Sequence, residues 1–372
     1  MTTYHFLIDS TYASDFIDFI CDNYQEENHK FVVLTFLNER ECVKNNKNIE
    51  KIDILYKNRQ FIKYLLKINK NDKLIIHGLF NKWVVYALFL KRQLLKCSTI
   101  VMWGADLYIH RTYLKSKKIK DKIFDYMRGY IFRNVNTLGF DMPTDYQLMK
   151  EWYNVTRSAY FITYPQPINK ELINLALKAK NNHSTVINIL LGNSASRENN
   201  HIEAFEILTK YSDENIKIYC PLSYGDTEDY KKMVIEKGKS IFKEKFEPIT
   251  NFMSSNEYAD FFSKMNVAIF NNNRQQAMGN ITLAAFLGCK VYLRQNTTMW
   301  RQYVENGGCH FYPIETIKNI NINEFDSIDD QSIEINKKYF EKLQDKDFMK
   351  KTWNPLLYQN SDLGGKRINE RL

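Results

Sequence analysis

Short apolar runs recur along the first half of the chain, over 4–8, 31–37, 73–76, 99–103, 135–138 and 159–162. Stretches with helical spacing, such as 83–95 and 145–153, separate several of them. Strand-like runs alternating with helical patterns predict a parallel sheet covered by helices. Two prolines in Tyr164-Pro165-Gln166-Pro167 remove backbone donors and fix φ, which predicts a linker. Beyond it the pattern restarts, with strands over 186–191, 216–220 and 242–247 and helices over 198–210, 228–237 and 256–264. The expected organisation is therefore α/β, with two successive doubly wound domains over 1–165 and 166–330. A helical tail over 331–372 is expected to pack back towards the first domain, and its last stretch, 360–372, is polar.

The clearest local unit lies late in the second half. An apolar run, 267–270, leads into Asn271-Asn272-Asn273-Arg274-Gln275-Gln276-Ala277-Met278-Gly279-Asn280-Ile281-Thr282. A small-residue helix over 283–287 and a strand over 290–293 follow, completing a βαβ unit. Its loop is where backbone N–H groups and the positive end of a helix dipole converge, which suits phosphate. An ordinary strand-to-helix turn has the same local pattern. A second loop of this kind follows the 186–191 strand: Gly192 permits close backbone approach, and Asn193, Ser194 and Ser196 supply short polar groups. A third, 221–226, brings Tyr224 to the same edge, where its ring can stack on a base. Ligands of doubly wound sheets bind at the carboxyl ends of the strands, so the three loops are expected to line one pocket. None is a GxGxxG fingerprint, and no acidic ribose-binding residue follows at the usual spacing, which disfavours hydride chemistry.

In the first half, two strand ends place a titratable side chain beside a glycine, His77-Gly78 and Trp103-Gly104-Ala105-Asp106. Either Asp106 or His77 is a candidate to take a proton from an attacking hydroxyl. Helix capping by Asp106 and a structural hydrogen bond by His77 are the alternatives. Between Arg111 and Arg133 stand Lys115, Lys117, Lys118, Lys120, Lys122 and Arg128, with only Asp121 and Asp125 as acids. Ile119, Ile123, Tyr126, Met127 and Tyr130 recur beside them at helical spacing. Such a helix either lies on an anionic membrane face or packs its apolar side on its own domain.

Charge sharpens the picture. Residues 1–165 hold 25 Lys and Arg against 17 Asp and Glu, whereas 166–372 hold 27 against 26, so nearly all of the net +9 belongs to the first half. A fixed anionic partner is expected there, a membrane surface or nucleic acid. The composition, 44% hydrophobic and 26% charged, is globular. No run approaches the ~18–20 apolar residues of a membrane span, and the N-terminus has no secretory pattern. Six scattered cysteines without a CxxC pair suggest buried thiols in a reducing cytoplasm, and the seven histidines show no metal-ligand spacing.

His77-Gly78 with Phe80-Asn81, Trp103-Gly104-Ala105-Asp106-Leu107-Tyr108, Leu191-Gly192-Asn193-Ser194, Arg274-Gln275-Gln276 with Gly279, and Trp300 occur in an order that resembles the bacterial TDP-N-acetylfucosamine:lipid II N-acetylfucosaminyltransferase family. Ala277 and Asn280 depart from the Gly and Thr that family members carry. The resemblance implies a GT-B architecture, two Rossmann-like domains facing across a cleft, and a metal-independent reaction without a cofactor. It implies a dTDP-sugar donor (or a UDP-sugar) bound by Gly192, Asn193, Ser194, Arg274, Gln275, Gln276 and Gly279, and Tyr224, Asn280 and Thr282 on the same loops are further donor-site candidates. The acceptor would be a polyprenyl-diphosphate-linked glycan of enterobacterial common antigen type. The protein would then be cytoplasmic and peripheral to the inner face of the cell membrane, held there by Lys117, Lys118, Lys120, Lys122 and Arg128. A nucleotide-sugar 2-epimerase of the same architecture is the alternative enzyme, and with no recognised motif present, nucleic acid is not an expected partner.

Overall fold

The computed structural model describes residues 1–35, 42–165, 170–180, 185–358 and 367–368. The far end of the predicted 31–37 strand, part of the proline linker and most of the polar tail lie outside these residues. The chain divides into two compact units, residues 1–167 with 343–372, and residues 168–342.

The first unit is built on seven parallel strands, β1 (Thr3–Ile8), β2 (His29–Leu34), β3 (Ile52–Leu55), β4 (Lys73–His77), β5 (Ser98–Met102), β6 (Thr137–Phe140) and β7 (Ala159–Phe161), in the order β3-β2-β1-β4-β5-β6-β7. Its strands are hydrophobic almost throughout because helices cover both faces of a parallel sheet. β3 and the helix after it, Asn58–Lys67, were not expected. β3 is a four-residue edge strand whose Asp53 breaks the apolar run, so periodicity gave no signal.

The second unit carries β8 (Ile187–Leu191), β9 (Ile216–Pro221), β10 (Phe246–Ile249), β11 (Val267–Phe270), β12 (Lys290–Leu293) and β13 (Tyr312–Pro313), all parallel, in the order β10-β9-β8-β11-β12-β13. The helix expected over 198–210 is interrupted at Asn200, whose φ of 49° is left-handed, and resumes as His201–Leu208.

The end of the chain is shared between the units. Helix Asp330–Gln344 stays with the second, where the Ser332 hydroxyl meets His310 Nδ1 at 2.7 Å and the Asn336 carboxamide accepts from the His310 N–H at 2.7 Å. Helix Lys346–Leu357 belongs to the first. Trp353 is fully buried there, its indole N–H donating to the Thr163 carbonyl at 2.8 Å and its ring packed on Phe16, His77 and Tyr164.

Candidate active site

In the second sheet the strand order reverses between β8 and β11, so the loops leaving their carboxyl ends border the crevice where such sheets bind ligands. The β8 loop begins at Gly192, with φ +71°, whose N–H donates to the Ile269 carbonyl at 2.9 Å. A Cβ there would lie 2.9 Å from Asn199 Oδ1 and 3.0 Å from His201 Nε2, so only glycine fits. Asn199 in turn accepts the Asn193 N–H at 3.1 Å, holding the loop open. The loop after β9 zips onto it: the Ala195 N–H donates to the Tyr224 carbonyl at 2.6 Å and the Asp226 N–H to the Ala195 carbonyl at 3.2 Å. The Tyr224 hydroxyl accepts from Asn193 Nδ2 at 3.1 Å, and its ring lies parallel to that of Phe252 with centroids 6.2 Å apart.

The β11 loop completes the edge. Ala277 takes the left-handed conformation, φ 58°, immediately before helix Met278–Phe286. No side chain caps that helix and its first turn holds no acid, so its N–H groups and dipole face the crevice uncompensated. Arg274, part-buried beside it, donates to the Gln275 carbonyl at 3.0 Å. Five buried side-chain atoms at this edge have no partner among the described residues: Asn193 Oδ1, His201 Nε2, both amide atoms of Asn272, and Gln276 Oε1. Each unpaired buried polar atom costs about 1–3 kcal/mol. Unpaired amide atoms at a switch-point crevice can meet a ligand's donors and acceptors.

Other predicted donor-site residues also make hydrogen bonds within the second unit. Ser194 Oγ accepts from Asn199 Nδ2, Gln275 Nε2 donates to Met278 Sδ, Asn280 Oδ1 accepts the Tyr258 hydroxyl, and Thr282 Oγ1 donates back to the Met278 carbonyl. Each bond uses part of the side chain's hydrogen-bonding capacity, and Gly279 is buried in the helix start. Three contributors were missed. Asn272 stands in the Asn271-Asn272-Asn273 run, where repeated amides after a strand were the available signal. Glu203 and Arg294 form an ion pair at 2.5 Å, joined by Asn271, and no local pattern joins residues so far apart in sequence.

The first unit's edge is different. Both oxygens of Asp106 are engaged by backbone, the Leu79 N–H at 2.9 Å and the Trp103 N–H at 3.0 Å, and its side chain is buried. Burial pushes its carboxyl up, while those donors and Arg128 oppose the shift. Asp106 thus ties together the loops after β4 and β5, one carboxylate oxygen holding each.

His77 is likewise enclosed. Its Nδ1 meets the Tyr164 hydroxyl, its Nε2 lies 3.1 Å from His5 Nδ1, and His5 Nε2 lies 3.0 Å from His29 Nδ1. The Trp103 indole, which can only donate, reaches the Tyr164 oxygen at 3.2 Å. Tyr164, His77, His5 and His29 thus form one continuous hydrogen-bonded chain. Burial holds all three imidazoles neutral, His5 well below the usual range, His29 down to about 4 and His77 to about 3. His77 has no free nitrogen for an acceptor.

The predicted basic helix is Ile119–Asn134, and its orientation corrects the expected placement of Arg128. Arg128 is buried, donating to Asp125 Oδ1 at 3.3 Å, the Tyr153 hydroxyl at 3.0 Å and the Asp106 carbonyl. Asp125 also receives the Tyr153 hydroxyl at 2.6 Å and lies 2.7 Å from His110 Nδ1. Lys117, Lys118, Lys120 and Lys122 are exposed as expected. So are Ile119, Ile123 and Tyr126, at 75%, 55% and 62%, which reverses the usual arrangement of apolar in and charged out. Trp83 and Leu90 of helix Lys82–Leu90 and Leu114 of helix Ala105–Lys115 are exposed too, and aromatic contacts Tyr86–Phe124 and Tyr113–Phe124 join the three helices. No helix among the described residues is long and apolar enough to cross a membrane.

Two parallel α/β sheets and solved relatives define the class. The chain aligns with the Anabaena protein HepE, solved with UDP and glucose, at a TM-score of 0.65 and 10% identity over 97% of this chain and all of that one. A Rickettsia africae glycosyltransferase gives 0.61 and 12% identity over 96% of this chain and 99% of the other. The Candida albicans trehalose-6-phosphate phosphatase N-terminal domain gives 0.64 and 8% over 96% and 97%. The fold is GT-B, and the protein is a GT-B glycosyltransferase. A sequence model described as 4-alpha-L-fucosyltransferase, glycosyl transferase group 56, matches residues 10–359, and the chain belongs to that family.

Proposed function

We propose that this glycosyltransferase moves a deoxy-acetamido sugar of the N-acetylfucosamine kind from a dTDP-sugar to a polyprenyl-diphosphate-linked glycan at the inner face of the cell membrane. The observation that carries the donor half is the group of unpaired amide atoms on Asn193, Asn272 and Gln276 around an uncapped helix N-terminus. The diphosphate would sit at that helix start with Arg274 beside it, so its charge is met by N–H dipoles and a guanidinium, and no metal is needed. Tyr224 and Phe252 offer a flat surface for the base. HepE, a neighbour of the same fold, was solved with UDP and glucose, and a UDP-sugar is the competing donor.

The lipid-linked acceptor is supported by the outward-facing apolar side chains Trp83, Leu90, Leu114, Ile119, Ile123 and Tyr126 beside Lys117, Lys118, Lys120 and Lys122. Apolar side chains within a basic fringe match the boundary between acyl chains and anionic headgroups. A 2-epimerase acting on soluble substrates has no use for such a face. A thermal-shift series with dTDP, UDP, GDP and CDP tests the donor assignment, since a tighter ligand raises apparent stability further. Stabilisation by dTDP above the others is expected; equal small shifts with all four would refute it.

A further inference from the structure

Register places Met102, Phe140 and Phe161 side by side at the carboxyl ends of β5, β6 and β7. The next residues along are Trp103, Asp141 and Ile162. Among the carboxylates at this edge, Asp9 accepts from the Thr35 hydroxyl at 2.8 Å and the Val43 N–H at 3.1 Å, Asp106 accepts two backbone N–H groups, and Asp145 accepts the Tyr108 hydroxyl at 2.8 Å. Asp141 differs: it is half-buried and has no hydrogen bond or ion pair to another described residue. Its neighbour is the Tyr164–Trp103 pair, and Tyr164 feels its charge.

We propose that Asp141 is the base that deprotonates the acceptor hydroxyl. The inference rests on the transferase reading above and replaces Asp106 and His77 in that role. As the acceptor oxygen bonds to the sugar's anomeric carbon, the bond from that carbon to the nucleoside diphosphate breaks, and its electron pair leaves with the diphosphate. The hydroxyl proton passes to the Asp141 carboxylate and from there to water. A half-buried carboxylate with no hydrogen bond to a described residue takes a proton without disturbing the loops around it, whereas a proton on Asp106 weakens the acceptors that hold two backbone N–H groups. Burial alone pushes the Asp141 carboxyl up to about 7, matching it to a proton transfer near neutral pH. The groups facing it are the Tyr164 hydroxyl and, behind that, the neutral His77 ring and the engaged Asp106.

The test uses the full chain with dTDP-N-acetylfucosamine and a polyprenyl-diphosphate-linked saccharide, following dTDP release. If the unaltered protein transfers from none of the nucleotide sugars tried, the transferase reading itself falls. With that protein active, Asp141→Asn should lower kcat roughly 100-fold or more, leave dTDP binding unchanged and keep or raise Tm, because an unpaired carboxylate is removed. A kcat within tenfold of the unaltered protein overturns the inference. Should the variant fold poorly, the pH profile of the unaltered protein decides, with folding checked by circular dichroism at each point. The inference requires kcat/KM to fall about tenfold per pH unit below about 7, and a flat profile down to pH 5.5 overturns it.

Discussion

The carboxyl edges of the two sheets invite comparison because they share a fold and differ in how their polar groups are satisfied. On the first sheet, Asp9, Asp106 and His77 all bond to protein partners, and these bonds fix the loops around them. On the second, Asn193, Asn272 and Gln276 leave amide atoms unpaired beside a helix end that no residue caps. A polar residue at a strand end is therefore scaffold or binding surface according to whether the protein has already used its lone pairs and protons. Asp141 is the first edge's exception.

The largest effect that would sharpen this contrast belongs to the first unit. Arg128→Met should destabilise the chain by about 3–5 kcal/mol in urea unfolding, since it strands Asp125 in the interior. Arg274→Ala should leave Tm nearly unchanged yet lower transfer by roughly 100–1000-fold, the usual loss when a charge-stabilising donor is removed. Turnover within a few-fold of the unaltered enzyme would break the donor assignment. Reversal of Lys117, Lys118 and Lys120 to Glu should weaken binding to phosphatidylserine vesicles by roughly 100-fold at low salt, and progressively less as salt is raised, in a flotation assay. Asn272→Ala should weaken nucleotide binding by about 1–3 kcal/mol in calorimetry without loss of Tm.

The smallest effect per step is acid sensitivity. His29 and His77 have folded pKa values lowered to about 4 and about 3, whereas their unfolded values lie near 6.5. The unfolded chain therefore binds protons that the native state refuses, and stability falls as pH drops below about 6.5. Each histidine contributes a slope of about 1.4 kcal/mol per pH unit until its folded value is reached. Histidine-to-glutamine substitutions should flatten that slope in urea midpoints measured from pH 7 to 4.5.

The double parallel sheet was legible because apolar runs and helical stretches alternate twice with a proline pair between them. The loops at the second sheet's carboxyl edge were legible for a related reason, since glycine, asparagine and arginine after a buried strand report loop chemistry locally. The partners of Asp106 and His77 were not legible, because a strand-end position says where a side chain stands and not which distant N–H or ring it meets. His77 is bound to residues on β1 and past β7, 72 and 87 positions away. Arg128 was misread because helical periodicity cannot tell which side faces inward when a buried ion pair displaces apolar residues to the outside. Asp141 carried no signal, because its distinguishing property is the lack of a partner.

Helix Lys346–Leu357 has a bearing on synthesis. Trp353 fills the space between Phe16, His77 and Tyr164, so the first lobe stays unfinished until the ribosome has passed that helix. The intervening lobe, whose own strands are contiguous in the chain, is free to fold first, contrary to the common vectorial order.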